Sequence, residues 1–354
     1  MRILHVVGAR PNFIKAAPVW AALATAANIR QTMVHTGQHY DVNMSDVFFQ
    51  QLEMAEPDIN LEVGSGTHAR QTADIIAAFE PVIEKRQPDL VLVYGDVNST
   101  MAASLVCSKL QVPVGHVEAG LRSRDRSMPE EVNRLITDQL SDLLFTPSAD
   151  ADENLQQEGI PASKIHRVGN VMIDTLVRML PICGAHKPTN LPARYALVTL
   201  HRPSNVDDLP WLRALLVALS DLNGKLPVVF PVHPRTRQRI HDLGLHALAL
   251  RLLDPQPYLA FLALLREATV VITDSGGMQE ETSFLGVPCL TMRENTERPI
   301  TVTMGTNVLV GRDVERMLQE VNRILKSERK PPSVIPLWDG HAAERIAQVI
   351  IRSA

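Results

Sequence analysis

No basic tract interrupts this chain, and a formal charge of −4 over 354 residues leaves no surplus that would draw nucleic acid as the main partner. No apolar stretch reaches the roughly 20 residues that a membrane-spanning helix needs. The N-terminal apolar run is broken by His5 and ended by Gly8, so it is too short for a secretory leader. Cysteine is scarce. Cys107, Cys183 and Cys289 stand far apart, which excludes a zinc site built from them alone. An odd, unpaired count suits a reducing cytoplasm. Internal repeats and low-complexity tracts are absent as well.

What is present is ordinary for a globular protein: 45% hydrophobic and 21% charged residues, in a length that suggests about two domains. Short apolar runs alternate with helical periodicity. Strands are expected at Ile3 to Val7, Thr32 to Thr36, near Ile59 to Val63, Leu90 to Tyr94, a run ending at Glu118, Asp142 to Pro147 and Ile165 to Val168. Helices are expected from Pro11, from the Gly37–Asp41 loop to about Leu52, over Thr67 to Lys85 and Ser99 to Leu110, and from Pro129. The breaker-rich run from Pro181 to Pro192 reads as a linker. The alternation then restarts, with strands at Ala196 to Leu200, Val228 to Val232, Leu250 to Asp254, Val270 to Thr273 and Pro288 to Met292. Helices are expected at Leu209 to Asn223 and from Pro257. The pattern predicts an α/β protein with two Rossmann-like, doubly wound domains facing a central cleft. The first covers 1–170 and the second 171–339, and a C-terminal helix within 340–354 packs back on the first.

In such sheets ligands gather beyond the carboxyl ends of the strands. Asp96 and Glu118 each follow an apolar run, and Glu130 opens the helix at Pro129. An acid after a strand is as readily a helix cap, but three at one sheet end need something to stabilise them. Arg10 and Lys15 flank the first helix start, where unpaired N–H groups favour a phosphate. Ser275-Gly276-Gly277, between a strand and a helix, is a second candidate anion cradle, although many such turns are only tight connections. Glu281, one turn further, is placed to accept from ribose hydroxyls. His201 and His233 end strands at one sheet edge and can donate to a diphosphate. Phe261 is a candidate for base stacking, with a core role as its default. Two such lobes together describe a nucleotide-sugar site.

The runs GARPNFIKAAP, TGQHYD, VYGDVNST, GHVEAGLRS, PEEVNR, VGNVMIDTL, TLHRPSN, FPVHP, DSGGMQEE, LGVP and RENTERP occur in that order. With them the chain resembles, nearly end to end, the non-hydrolysing UDP-N-acetylglucosamine 2-epimerases of the glycosyltransferase-B-like fold. The resemblance implies reversible interconversion of UDP-N-acetylglucosamine (UDP-GlcNAc) and UDP-N-acetylmannosamine (UDP-ManNAc). The route it implies is anti-elimination of UDP to a 2-acetamidoglucal and re-addition, without NAD or metal, in a homodimer supplying sugars for cell-surface polysaccharide. By residue match it implies Asp96, Glu118, Glu130 and His201 as catalytic groups. It implies Arg10, Lys15, Ser275 and Gly276 at the diphosphate, Glu281 at the ribose and Phe261 beside uracil; Arg134, His233, Gly277 and Arg298 complete the expected binding set. The chain departs from the family pattern at Asn12, at Ile300 and at Pro203-Ser204. Those departures leave room for a modified UDP-sugar such as a uronic acid. A hydrolysing epimerase, a glycosyltransferase of the same fold and an idle nucleotide-sugar binder are the competing readings; three proton-handling acids speak against the last two.

Overall fold

The computed structural model describes residues 1–37, 54, 56–245, 248–327 and 334–353, with the side chain of Arg10 outside the description. The expected loop beyond Gly37 and its helix to Leu52 also lie outside the described residues. The chain divides into two compact units, Met1–Arg178 with Pro336–Ala354, and Met179–Ile335.

The first unit runs β1 (Arg2–Val7), α1 (Arg10–Leu23), β2 (Arg30–His35), β3 (Ile59–Asn60), α2 (His68–Arg86), β4 (Leu90–Tyr94) and α3 (Asn98–Lys109). It continues with β5 (Val114–Val117), α4 (Pro129–Leu140), β6 (Leu143–Thr146), α5 (Ala149–Gln157), β7 (Ile165–Arg167) and α6 (Val171–Cys183). Its strands are parallel, in the order β3-β2-β1-β4-β5-β6-β7. Helices on both faces bury each central strand from two sides, which is why β4 reads as the unbroken run LVLVY. Val6, Val91 and Val93 pack with Phe79 and Ile83 of α2 and Val106 of α3. The strand order reverses between β1 and β4, a topological switch point.

The second unit runs β8 (Ala196–Thr199), α7 (Leu209–Asn223), β9 (Val228–Pro231), α8 (Pro234–Asp242), β10 (Arg251–Leu253), α9 (Tyr258–Glu267) and β11 (Val270–Thr273). Then follow α10 (Gly276–Leu285), β12 (Cys289–Thr291), β13 (Asn307–Leu309) and α11 (Val314–Leu325). The parallel order is β10-β9-β8-β11-β12-β13, with its switch point between β8 and β11. Val198, Phe230, Ile272 and Leu290 meet Leu212, Leu215 and Leu219 of α7 in its core.

The C-terminal helix α12 (Ala342–Ser353) belongs to the first unit and packs on α1. Its first N–H groups are capped from a distance: Asp174 of α6 accepts from Ala342 N at 3.1 Å and Ala343 N at 2.6 Å. Just ahead of it, Trp338 Nε1 donates to the Pro147 carbonyl at 2.9 Å. Pro18 inside α1 has no N–H to give the Ile14 carbonyl, and Thr175 Oγ1 of α6 supplies that donor at 2.6 Å. The sequence pattern breaks α6 at Pro181, whereas the helix continues to Cys183, and the two units divide within it. Among the described residues no helix is long and apolar enough to cross a membrane. Cys107, Cys183 and Cys289 are buried free thiols.

Candidate functional site

In the first unit, three strand-to-helix turns converge beyond β1, β4 and β5. Asn12 ties the first two together. Its Oδ1 accepts from Gly8 N and Ala9 N at 3.0 and 2.9 Å, and its Nδ2 donates to the Tyr94 carbonyl at 2.7 Å. One buried amide thus closes the switch point. Lys15, one turn into α1, is buried and ion-paired with Glu118. Gly95 lies against that pair. A Cβ there would come within 2.6 Å of Lys15 Nζ and 3.1 Å of Glu118 Oε2, and Gly95 has φ +64. Glu118 itself has φ +76, a left-handed conformation that costs a non-glycine residue of order 1–3 kcal/mol. Both Glu118 N and Ala119 N donate to the Phe145 carbonyl of β6, which holds the turn in that shape.

Asp96 is paired with Arg134 of α4, and its carbonyl accepts from Asn133 Nδ2 at 2.9 Å. Arg134 is only 1% exposed and also reaches Glu131 Oε2 at 2.8 Å. Glu131 accepts from Ser123 N and Arg124 N, both at 2.8 Å. Burial, the largest single effect, pushes the Glu131 carboxyl up, yet these N–H groups and the Arg134 charge bring it below its ordinary range. Its neighbour Glu130 is half-buried, and its carboxylate bonds to no described residue. Two adjacent glutamates therefore differ in kind: Glu131 anchors the loop, whereas the Glu130 carboxylate has no partner among the described residues. The cluster combines carboxylates of two of these turns with two cations, Lys15 and Arg134, a set of groups suited to moving a proton beside a developing charge.

In the second unit the groups gather at the β8/β11 switch point, where Thr199 and Thr273 join hydroxyls at 2.7 Å. Asp274 is fully buried and accepts from His201 N, Arg202 N and Asn205 Nδ2 at 3.1, 2.9 and 3.1 Å. Burial pushes its carboxyl up, but His201 and these donors outweigh that and hold it below the usual carboxylate range. His201 Nδ1 lies 3.0 Å from Asp274 Oδ1, and its Nε2 bonds to no described residue. The aspartate therefore fixes the ring so that Nε2 is the nitrogen on offer. His233 Nδ1 accepts from Arg235 N at 3.3 Å. Burial, then the positive charges of His201 and Arg235, lowers its basicity.

Ser275 caps α10 without a side-chain bond to the first turn. A Cβ on Gly276 would lie 2.5 Å from Arg298 Nη1, so glycine is what lets the guanidinium lie against the turn. Arg298 is buried between Glu280, at 2.9 Å, and Glu297, at 2.5 Å. Glu281 is buried and accepts from the Tyr258 hydroxyl at 3.0 Å. Phe261, half-buried, sits one turn along α9 from Tyr258. Among the described residues no group of three or more His, Cys, Asp or Glu is arranged to hold a metal ion.

A family model described as UDP-N-acetylglucosamine 2-epimerase matches residues 21–351. The chain belongs to the UDP-N-acetylglucosamine 2-epimerase family. This epimerase is 43% identical over 357 residues to the UDP-2,3-diacetamido-2,3-dideoxy-D-glucuronate 2-epimerase of Pseudomonas aeruginosa, covering 99% of this chain and 100% of that one. It is similar to a crystal structure of the Methanocaldococcus jannaschii UDP-GlcNAc 2-epimerase in complex with UDP-GlcNAc and UDP. That likeness has a TM-score of 0.91 at 40% identity over 99% of this chain and 100% of the other. At 14% identity and a TM-score of 0.56, a lipopolysaccharide outer core galactosyltransferase shares the glycosyltransferase-B-like fold alone, covering 100% of each chain.

Three groups at the epimerase's two clusters carry no signal in the sequence read by spacing alone. Asn12 stands out only as a departure from the family pattern. Asp274 looks like the end of a strand, and Tyr258 like the start of a helix. Each gains its place by reaching a residue 23 or more positions away in sequence, or in Asn12's case 82.

Proposed function

We propose that this epimerase interconverts UDP-GlcNAc and UDP-ManNAc. Unit 1 handles the sugar and unit 2 the diphosphate and nucleoside. A carboxylate of the Asp96, Glu118 and Glu130 set removes the C2 proton as the C1–O bond breaks, and UDP leaves with the bonding pair. A C1=C2 double bond forms. Return of UDP to C1, with a proton delivered to the opposite face of C2, completes the inversion. A C2–H is a weak acid, so loss of UDP leads or accompanies loss of the proton. His201 Nε2, Ser275 with the first turn of α10, and Arg298 serve the leaving diphosphate, as preorganised donors serve any developing anion. Glu281, oriented by Tyr258, serves the ribose, and Phe261 the base.

The observation that carries this reading is the strained Glu118, locked against buried Lys15 over a glycine whose missing Cβ leaves room for the pair. Strain of that kind persists where the surroundings hold it for a purpose. Incubation with UDP-GlcNAc and separation of the products tests the proposal. UDP-ManNAc without free sugar is expected. Free ManNAc with UDP would point to a hydrolysing enzyme, and unchanged substrate would overturn the choice of sugar. The 43% identity to a diacetamido-glucuronate epimerase makes that uronic acid the second substrate to assay.

A further inference from the structure

We infer that His116 and Asp138 form a buried positioning pair that holds the acid-bearing turns of unit 1 in register. The inference rests on reading that cluster as the place of the chemistry. Neither side chain is exposed. His116, on β5, places Nδ1 2.6 Å from Asp138 Oδ1 and Nε2 2.8 Å from the carbonyl oxygen of Gly95. Gly95 immediately precedes Asp96 and is the residue that lies against Lys15 and Glu118. Asp138, on α4, uses its other oxygen to accept from Gly120 N at 3.1 Å, two residues beyond Glu118. The same oxygen meets Arg122 Nη1 at 2.7 Å, and Arg122 Nη2 reaches Glu158 Oε2 at 2.6 Å. One carboxylate thus touches the Glu118 turn directly and the Asp96 turn through the imidazole. It does so from the helix that carries Glu130 and Arg134.

The protonation follows from hydrogen-bond capacity. Both ring nitrogens face acceptors, and a neutral imidazole has a single N–H. Satisfying the Asp138 carboxylate and the Gly95 carbonyl together requires a proton on each nitrogen. The ring meets Asp138, Asp138 meets Arg122 and Arg122 meets Glu158, so the signs alternate along this chain of contacts, while Lys15 and Glu118 lie on the other side of Gly95. Such a buried network is stable only when every member is satisfied. Its far end is a carbonyl in left-handed backbone, where a small rotation moves the Asp96 carboxylate relative to Glu118.

His116→Gln puts a single amide, with one donor end and one acceptor end, where two opposed donors are needed. If its nitrogen donates to the Gly95 carbonyl, its oxygen faces the Asp138 carboxylate. Adding Asp138→Asn restores a neutral chain: the new amide at position 138 donates to the one at position 116, which donates in turn to Gly95. In UDP-GlcNAc epimerisation we expect His116→Gln to lower kcat about 100-fold, the scale of a misplacement near 1 Å, with KM within about threefold. The double substitution should recover at least about tenfold in kcat. Independently, the wild-type protein labelled with 15N-histidine should show both His116 ring nitrogens bearing protons at neutral pH. Folded His116→Gln with wild-type kcat, a kcat loss that the second substitution deepens, or one bare ring nitrogen in the wild type would overturn the pairing. If His116→Gln fails to fold, the wild-type spectrum decides. Wild-type protein without activity on UDP-GlcNAc would instead count against the proposed substrate and leave the spectrum to judge the pair.

Discussion

At the scale of single residues, the proposed chemistry of unit 1 predicts that a few side chains do not tolerate exchange for near-isosteres. Glu118→Gln keeps the shape and the strained backbone but removes the charge that Lys15 meets. Asp96→Asn likewise removes one of the two carboxylates that Arg134 meets and leaves it paired with Glu131. Each should lower turnover about 10²–10⁴-fold, the usual reach of a group that moves a proton, while UDP affinity in calorimetry stays within a few-fold. Gly95→Ala should cost about 1–2 kcal/mol of stability in urea unfolding for its left-handed φ, and it should displace the Lys15 ammonium with loss of turnover. Asp138 and Asp274 contribute to the response to acid. Burial alone would raise both carboxyls, but His116 and Arg122 for the first, and His201 with its neighbouring donors for the second, hold them below the unfolded value of 3.8. A depressed carboxyl stabilises the fold fully above its unfolded value, and that contribution is lost as pH falls toward the folded one. Thermal melts should therefore be flat in this respect down to about pH 4 and fall below it.

At the scale of elements, the C-terminal helix shows how a distant side chain completes a local structure. Asp174 supplies both of the capping acceptors for α12 that Ala342 and Ala343 use. Asp174→Ala should destabilise unit 1 by about 1–2 kcal/mol in denaturant unfolding, the worth of a lost N-cap. Asp174→Asn should cost less. Its amide oxygen still accepts one of the two N–H groups, and the substitution removes a charge that burial disfavours, since burial raises this carboxyl. The same comparison explains what is legible in the sequence. Buried parallel strands such as Leu90–Tyr94 announce themselves as apolar runs, and the turns after them carry the acids and glycines. The three-residue β13 is too short for any periodicity to register. Helix α6 is apolar on most sides and crosses Pro181, so composition suggests a break where the helix continues. Asp174–α12, His116–Asp138 and His201–Asp274 join residues 168, 22 and 73 positions apart, and no local pattern links such pairs.

At the scale of the whole molecule, the chain builds two doubly wound sheets, each with a cluster of charged and polar groups at a strand-order reversal. The first reversal gathers carboxylates with Lys15 and Arg134; the second gathers His201, His233, Arg298 and a helix start whose N-cap Ser275 makes no side-chain bond to the first turn. In the proposed function, loss and recapture of UDP is the step on which the rest depends. Exchange at the sugar carbon is the direct consequence. The protein incubated with UDP-GlcNAc in deuterated water and followed by proton NMR should replace the C2 hydrogen with deuterium in both UDP-GlcNAc and UDP-ManNAc as they equilibrate. UDP-ManNAc that forms with its C2 hydrogen retained would contradict proton removal by the Asp96, Glu118 and Glu130 cluster.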